Sequence, residues 1–102
     1  MTTATIMLLD PAYLGEFYFT KEPVVLAKRL LADSCYWPGG EFWVDQAGEA
    51  AAEELFDLTN NPDREAERRV RYARGRSLSV GDMVDVDGVK YLCMNIGWIV
   101  VQ

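Results

Sequence analysis

"GDMVDVDGVKYLCMNIGWIVV" (residues 81–101) decides the fold. On both sides of Asp87-Gly88 apolar residues alternate with polar ones, and that dipeptide is the strongest short signal for a two-residue hairpin turn. Closing the turn pairs Val86 with Val89, Val84 with Tyr91 and Asp82 with Cys93. Val84, Val86, Val89, Tyr91 and Cys93 then share one face, which is expected to be the core. Asp85 and Lys90 meet on the other face as an exposed pair of opposite charges. Asn95-Ile96-Gly97 allows a further turn into a strand over 98–101.

Upstream, "TATIMLL" (3–9) is β-branched and apolar and predicts another strand. "DPAYLG" (10–15) predicts a turn or a single helical turn, and "EFYFT" (16–20) a short second strand. "EPVVLAKRLLAD" (22–33) has helical spacing with Pro23 at a first helical position. Pro38, Gly39 and Gly40 are expected to break the chain before a strand over 41–45. "AGEAAAEELFDL" (47–58) favours helix, with Ala51, Leu55, Leu58 and Phe56 on its buried side. Asn61 as N-cap and Pro62 as first residue predict a third helix over 62–74, stopped by Gly75, with Ala66, Val70 and Ala73 as a narrow apolar stripe. Strands at both ends with helices between make the class α+β. The expectation is one small domain over 1–102, a mostly antiparallel sheet, a C-terminal hairpin and two to three helices.

Composition removes several chemistries. Half of the residues are hydrophobic and 12% are aromatic, enough for a core without metal or disulfide staples. No histidine is present, which removes Ser-His-Asp and Cys-His nucleophiles and imidazole-based metal sites. Cys35 and Cys93 fit no metal spacing, and two reduced thiols are expected, with a disulfide as the alternative. The N-terminus has neither a basic start nor a small-residue cleavage site, and no stretch of eighteen apolar residues occurs, so the expected location is cytoplasmic, without membrane contact. "SVGD" (79–82) lacks the pattern of a phosphate loop. Glu49, Glu53 and Glu54 gain no further metal ligands. The reading is therefore non-enzymatic, with no cofactor and no metal.

The charge is unevenly placed. The chain carries sixteen acids against ten bases, a net of −6. Residues 22–59 hold eight acids and two bases, whereas 60–76 hold three acids and six arginines. Glu65 with Arg69 and Glu67 with Arg71 stand at i,i+4, the arrangement of a solvated helix face. Alternatively, Arg64, Arg68 and Arg71 form one stripe clear of Glu65 and Glu67, continued by Arg74 and Arg76, and guanidinium forks suit phosphates or carboxylates. The aromatics Tyr36, Trp37, Phe42 and Trp43 flank the Pro-Gly-Gly. They belong either to the core or to an exposed partner-binding patch, with Trp37 and Trp43 as candidate anchors.

Residues 56–98 carry Leu58–Pro62 as Leu-Thr-Asn-Asn-Pro, Gly75–Asp82 as Gly-Arg-Ser-Leu-Ser-Val-Gly-Asp, then Asp87-Gly88, Tyr91, Cys93 and Gly97-Trp98. This resembles a C-terminal motif of small proteins from bacteriophages and mobile elements. The Ser-Leu-Ser-Val-Gly-Asp part is similar to a module of antirestriction-type proteins. The resemblance implies an accessory role directed at a host or phage protein, with counter-defence inhibition as one form of it. It carries no catalytic residues and leaves residues 1–55 unassigned. The resulting expectation is a small binding protein whose partner is a host or phage protein. The candidate contacts are Arg64, Arg68, Arg71, Arg74, Arg76, Trp37 and Trp43. The alternative is a nucleic-acid-binding accessory protein that uses the arginine-rich helix.

Overall fold

The Asp87-Gly88 turn forms as predicted. In the computed structural model, which describes residues 1–73 and 75–102, Asp87 has φ 48° and Gly88 φ 92°. Those are the two left-handed positions that a type I′ hairpin demands. Five strands, β1 (Thr2–Leu9), β2 (Tyr36–Val44), β3 (Met83–Val86), β4 (Val89–Cys93) and β5 (Trp98–Val101), make one antiparallel sheet in the order β2-β1-β3-β4-β5. Val86 lies opposite Val89, Asp85 opposite Lys90 and Val84 opposite Tyr91. Beyond the strand ends the ladder continues through Cys93 N–H to the Asp82 carbonyl at 2.8 Å. Three helices, α1 (Pro23–Ala32), α2 (Glu49–Asn60) and α3 (Glu65–Arg71), complete a single α+β domain.

Both faces of the sheet are covered, where the hairpin pattern predicts one core face. On one face Ala4, Ile6, Leu8, Val84 and Val86 pack against Ala51, Ala52, Leu55 and Leu58 of α2. On the other, Leu9, Met83, Leu92 and Val101 pack against Leu26, Ala27 and Leu30 of α1, with Phe17. A fully buried leucine stabilises by roughly 1.5–3 kcal/mol, so the Met83 and Leu92 face is as much a core as the valine face. Val89, placed in the core by the alternation, stands exposed at the turn, while Cys93 is buried. Asp85 and Lys90 do pair, with Lys90 Nζ 3.3 Å from an Asp85 carboxylate oxygen.

Three sequence expectations change. Residues 16–20 form no strand: a 3-10 helix runs over Pro11–Tyr18, started by the Asp10 carboxylate accepting the Ala12 N–H at 2.9 Å. A strand there would find no neighbour beside β1, because β2 and β3 occupy both of its sides. Pro38-Gly39-Gly40 does not interrupt β2. Ile6 pairs with Gly40 and Met7 with Pro38, so Gly39 is the extra residue of a bulge. Proline is tolerated because β2 is an edge strand.

The third change concerns the expected helix over 62–74. It divides into a 3-10 turn, Pro62–Arg64, capped by the Asn61 side chain, and the short α3, which ends at Arg71. Gly75 acts through space rather than as a helix stop. A Cβ there would lie 1.8 Å from the Tyr72 ring, so the ring packs on a backbone that only glycine leaves open. The apolar stripe Ala66, Val70 and Ala73 points outward, with Val70 85% exposed. The charged side of α3 faces the protein instead.

Candidate functional site

The outward turn of the apolar stripe follows from where the arginines find acceptors. Arg64 sits where the chain leaves α2, facing that helix's acids. Its guanidinium donates to both Glu54 carboxylate oxygens at 2.8 and 2.9 Å and to Asp57 at 2.9 Å. It also grips Glu67 through Nε and Nη2, each at 2.9 Å. Three carboxylates around one guanidinium hold its proton more firmly than usual. Glu67 is held in turn by Arg64 and by Arg71, whose Nη1 lies 2.6 Å away. Those two guanidinium groups lower its carboxyl from the usual 4.5 to about 2. Glu67 therefore lies between Arg64 and Arg71, on the stripe expected to be clear of acids.

Arg68 donates from Nη1 to the Leu58 carbonyl at 2.8 Å and the Asn61 carbonyl at 3.0 Å. Carbonyls at the C-terminal end of a helix lack intrahelical partners and carry the negative end of the dipole, so a cation here caps α2. Arg71 places its guanidinium 5.5 Å from the centre of the Phe42 ring. Arg69, exposed, pairs with Glu65 at 2.8 Å. Arg74 lies outside the described residues.

Arg76 pairs with a fully buried acid. It donates to both oxygens of Asp82, at 2.5 and 2.7 Å, and to the Leu9 carbonyl at 2.8 Å. Asp82 is 0% exposed, and its carboxylate also accepts the Leu9 and Ser79 amides, each at 2.8 Å. The pair stitches the end of β1 to the 76–82 loop, and the Asp82 carboxylate raises the Arg76 pKa. Beside it, the Tyr36 hydroxyl donates to the Gly81 carbonyl, and burial is the main cause of its raised pKa. The sequence places Asp82 in the hairpin ladder opposite Cys93, and a spacing of six to Arg76 carries no periodic signal. Glu54 and Asp57, also missed, stand ten and seven positions from Arg64.

The tryptophans differ from the arginines. Trp37 is 49% exposed and Trp43 62% exposed, and both belong to the edge strand β2. Trp37 lies opposite Leu8 and Trp43 opposite Thr3, so the register sends them to opposite faces at opposite ends of the strand. Trp37 shares a cleft of about 480 Å³ with Pro38, Arg71 and Tyr72. Of the expected contacts, the fold thus brings Trp37 and Arg71 together and keeps Trp43 apart. Around Trp43, Glu41 and Asp45 are exposed, while Phe42 and Val44 point into the core.

Among the described residues no group of three or more His, Cys, Asp or Glu side chains is placed to hold a metal ion. Cys93 is buried with its thiol pushed up to about 12 by burial, and both cysteines are free. No described helix is long and apolar enough to cross a membrane. No protein-family model, no curated protein and no solved structure matches the chain.

Proposed function

We propose that this chain is a small non-enzymatic accessory protein of the phage-like kind, and that it works by covering the surface of a host or phage protein. Counter-defence inhibition is the form of that role the motif resemblance suggests. The contact surface we assign is the tryptophan-bearing edge β2. The observation that carries this reading is a contrast. Trp37 and Trp43 are large aromatic groups in solvent on an unpaired strand edge, the side chains that most often anchor protein interfaces. The guanidinium groups of Arg64, Arg68 and Arg76 are committed to Glu54, Asp57, Glu67, Asp82 and backbone carbonyls. A nucleic-acid interface would have to take donors away from those partners, against a molecule of net charge −6.

A photo-crosslinking amino acid placed at position 43 and, separately, at position 69 tests this. In host cells the position 43 probe is expected to give a discrete protein adduct that excess unmodified chain suppresses, and the position 69 probe is expected to give none. Submicromolar duplex or RNA binding that falls steeply with salt, combined with adducts only at position 69, would establish the nucleic-acid reading instead.

A further inference from the structure

We infer that β2 accepts an extended segment of the partner as a sixth strand, and that this segment carries basic side chains two positions either side of a central apolar one. The inference rests on the reading that β2 is the contact surface. β2 has one neighbour in the sheet, β1, so the amides and carbonyls on its other side point away from the protein. At nine residues it presents about 30 Å of edge. The opposite edge, β5, has four residues. Pro38 and the Gly39 bulge spoil the first half of β2 as a template, which leaves Gly40–Val44 as the regular run.

The chemistry of that run selects the occupant. Glu41 and Trp43 alternate within the strand, Asp45 follows just past its end in the same alternation, and all three are exposed, while Phe42 and Val44 are turned into the core. An added antiparallel strand places its own alternate residues beside these three. The central one meets the Trp43 ring and the two flanking ones meet carboxylates. Lysine or arginine at the flanks satisfies both charges, and a β-branched or aliphatic residue suits the ring. A second copy of this chain is the poorer occupant. The register that lays Trp43 on its own counterpart sets the two acids of one copy against the two acids of the other, and like charges directly opposite destabilise a pair. A phosphate backbone meets the same repulsion.

The test uses the full chain and three kinds of synthetic peptide, four peptides in all. The first is Thr-Lys-Thr-Val-Thr-Lys-Thr, the second has glutamate in place of lysine, and the third is the lysine peptide N-methylated at alternate amides, made in both phases. The lysine peptide is expected to bind and to shift the amide resonances of Gly40–Val44. The glutamate peptide is expected to bind at least tenfold more weakly, and Glu41→Lys, which leaves Asp45 in place, to remove most of that preference. One phase of N-methylation should abolish binding and the other should leave it within about threefold, because only alternate amides face β2. Equal binding of both methylated forms, or an unchanged preference in Glu41→Lys, would overturn the strand-addition model. So would a concentration-dependent dimer lost in Trp43→Ala, or competition by duplex DNA. If the peptides fail while the position 43 probe still captures a protein, this inference falls alone. If that probe also fails, the assignment of β2 as the contact surface falls with it.

Discussion

Replacing Asp82 with alanine tests whether the arginine segment is held from inside. Asp82 is fully buried and accepts five hydrogen bonds: two from Arg76, one each from the Leu9 and Ser79 amides, and a longer one from the Ser79 hydroxyl. Truncation strands two backbone amides and one guanidinium. A stranded buried donor costs about 1–3 kcal/mol, and breaking one side of a buried ion pair costs about 3–5 kcal/mol. These overlap, because the same carboxylate serves all the donors, so the expected loss is about 3–5 kcal/mol. That is a large share of the roughly 5–15 kcal/mol that stabilises a domain. Asp82→Asn keeps the shape and one acceptor oxygen, so its loss is expected to be smaller, about 1.5–3 kcal/mol. The assay is urea unfolding followed by tryptophan fluorescence, read as a fall in midpoint at constant slope. Arg76→Ala and Asp82→Ala together should lose less than their sum, by about 0.5–3 kcal/mol. Glu65→Ala, which breaks only the exposed pair with Arg69, should cost under about 1 kcal/mol. If Asp82→Ala unfolds within about 1 kcal/mol of the parent, the 76–82 loop is not anchored by this pair and Arg76 is free for other use.

The remaining predictions concern the hairpin, the acid range and the thiols. Gly88 has φ 92° and open space where a Cβ would stand, so Gly88→Val should lose about 1–3 kcal/mol from backbone strain alone; superimposable denaturant melts would contradict the turn assignment. Glu67 should titrate at about 2 in the folded chain, by carboxyl-carbon NMR. Because its folded value lies below its ordinary 4.5, its contribution to stability is present above that value and fades as pH falls towards 2. Arg64→Gln should move the midpoint upward, and a midpoint near 4.5 in the parent would contradict the Arg64–Glu67–Arg71 contacts. Under denaturing conditions without reductant, alkylation should add two groups to the monomer. In the native state Cys35 should react well before Cys93, which is buried and whose thiol is pushed up to about 12. Equal native rates would show that the β4 end opens readily.

What the sequence by itself determined was local. The turn at Asp87-Gly88 depends on which residues tolerate positive φ, and that depends on two neighbouring side chains. The period of "VDVDGVKYLC" then follows from the pleat, and the α2 stripe of Ala51, Leu55 and Leu58 from the helical repeat. The α+β class was legible because each of these signals spans only a few residues. Tertiary structure decided the rest. β1 became a central strand by pairing with β2 and β3, roughly thirty to forty residues away on one side and about eighty on the other, so "EFYFT" had no partner and became 3-10. The edge position of β2 made Pro38 and the glycines tolerable inside a strand. The orientation of α3 followed the charges, because Arg64 and Arg68 met the acids and open carbonyls at the end of α2, and this outweighed the burial of Val70. Arg76 and Asp82 are close in sequence, yet their pairing is buried only because Leu9, far away in the chain, closes over both. A charge pattern read along a chain gives the donors and acceptors. Which of them meet is set by contacts between distant segments, and here those contacts drew Arg64, Arg68 and Arg76 into the fold and left the tryptophans of β2 outside.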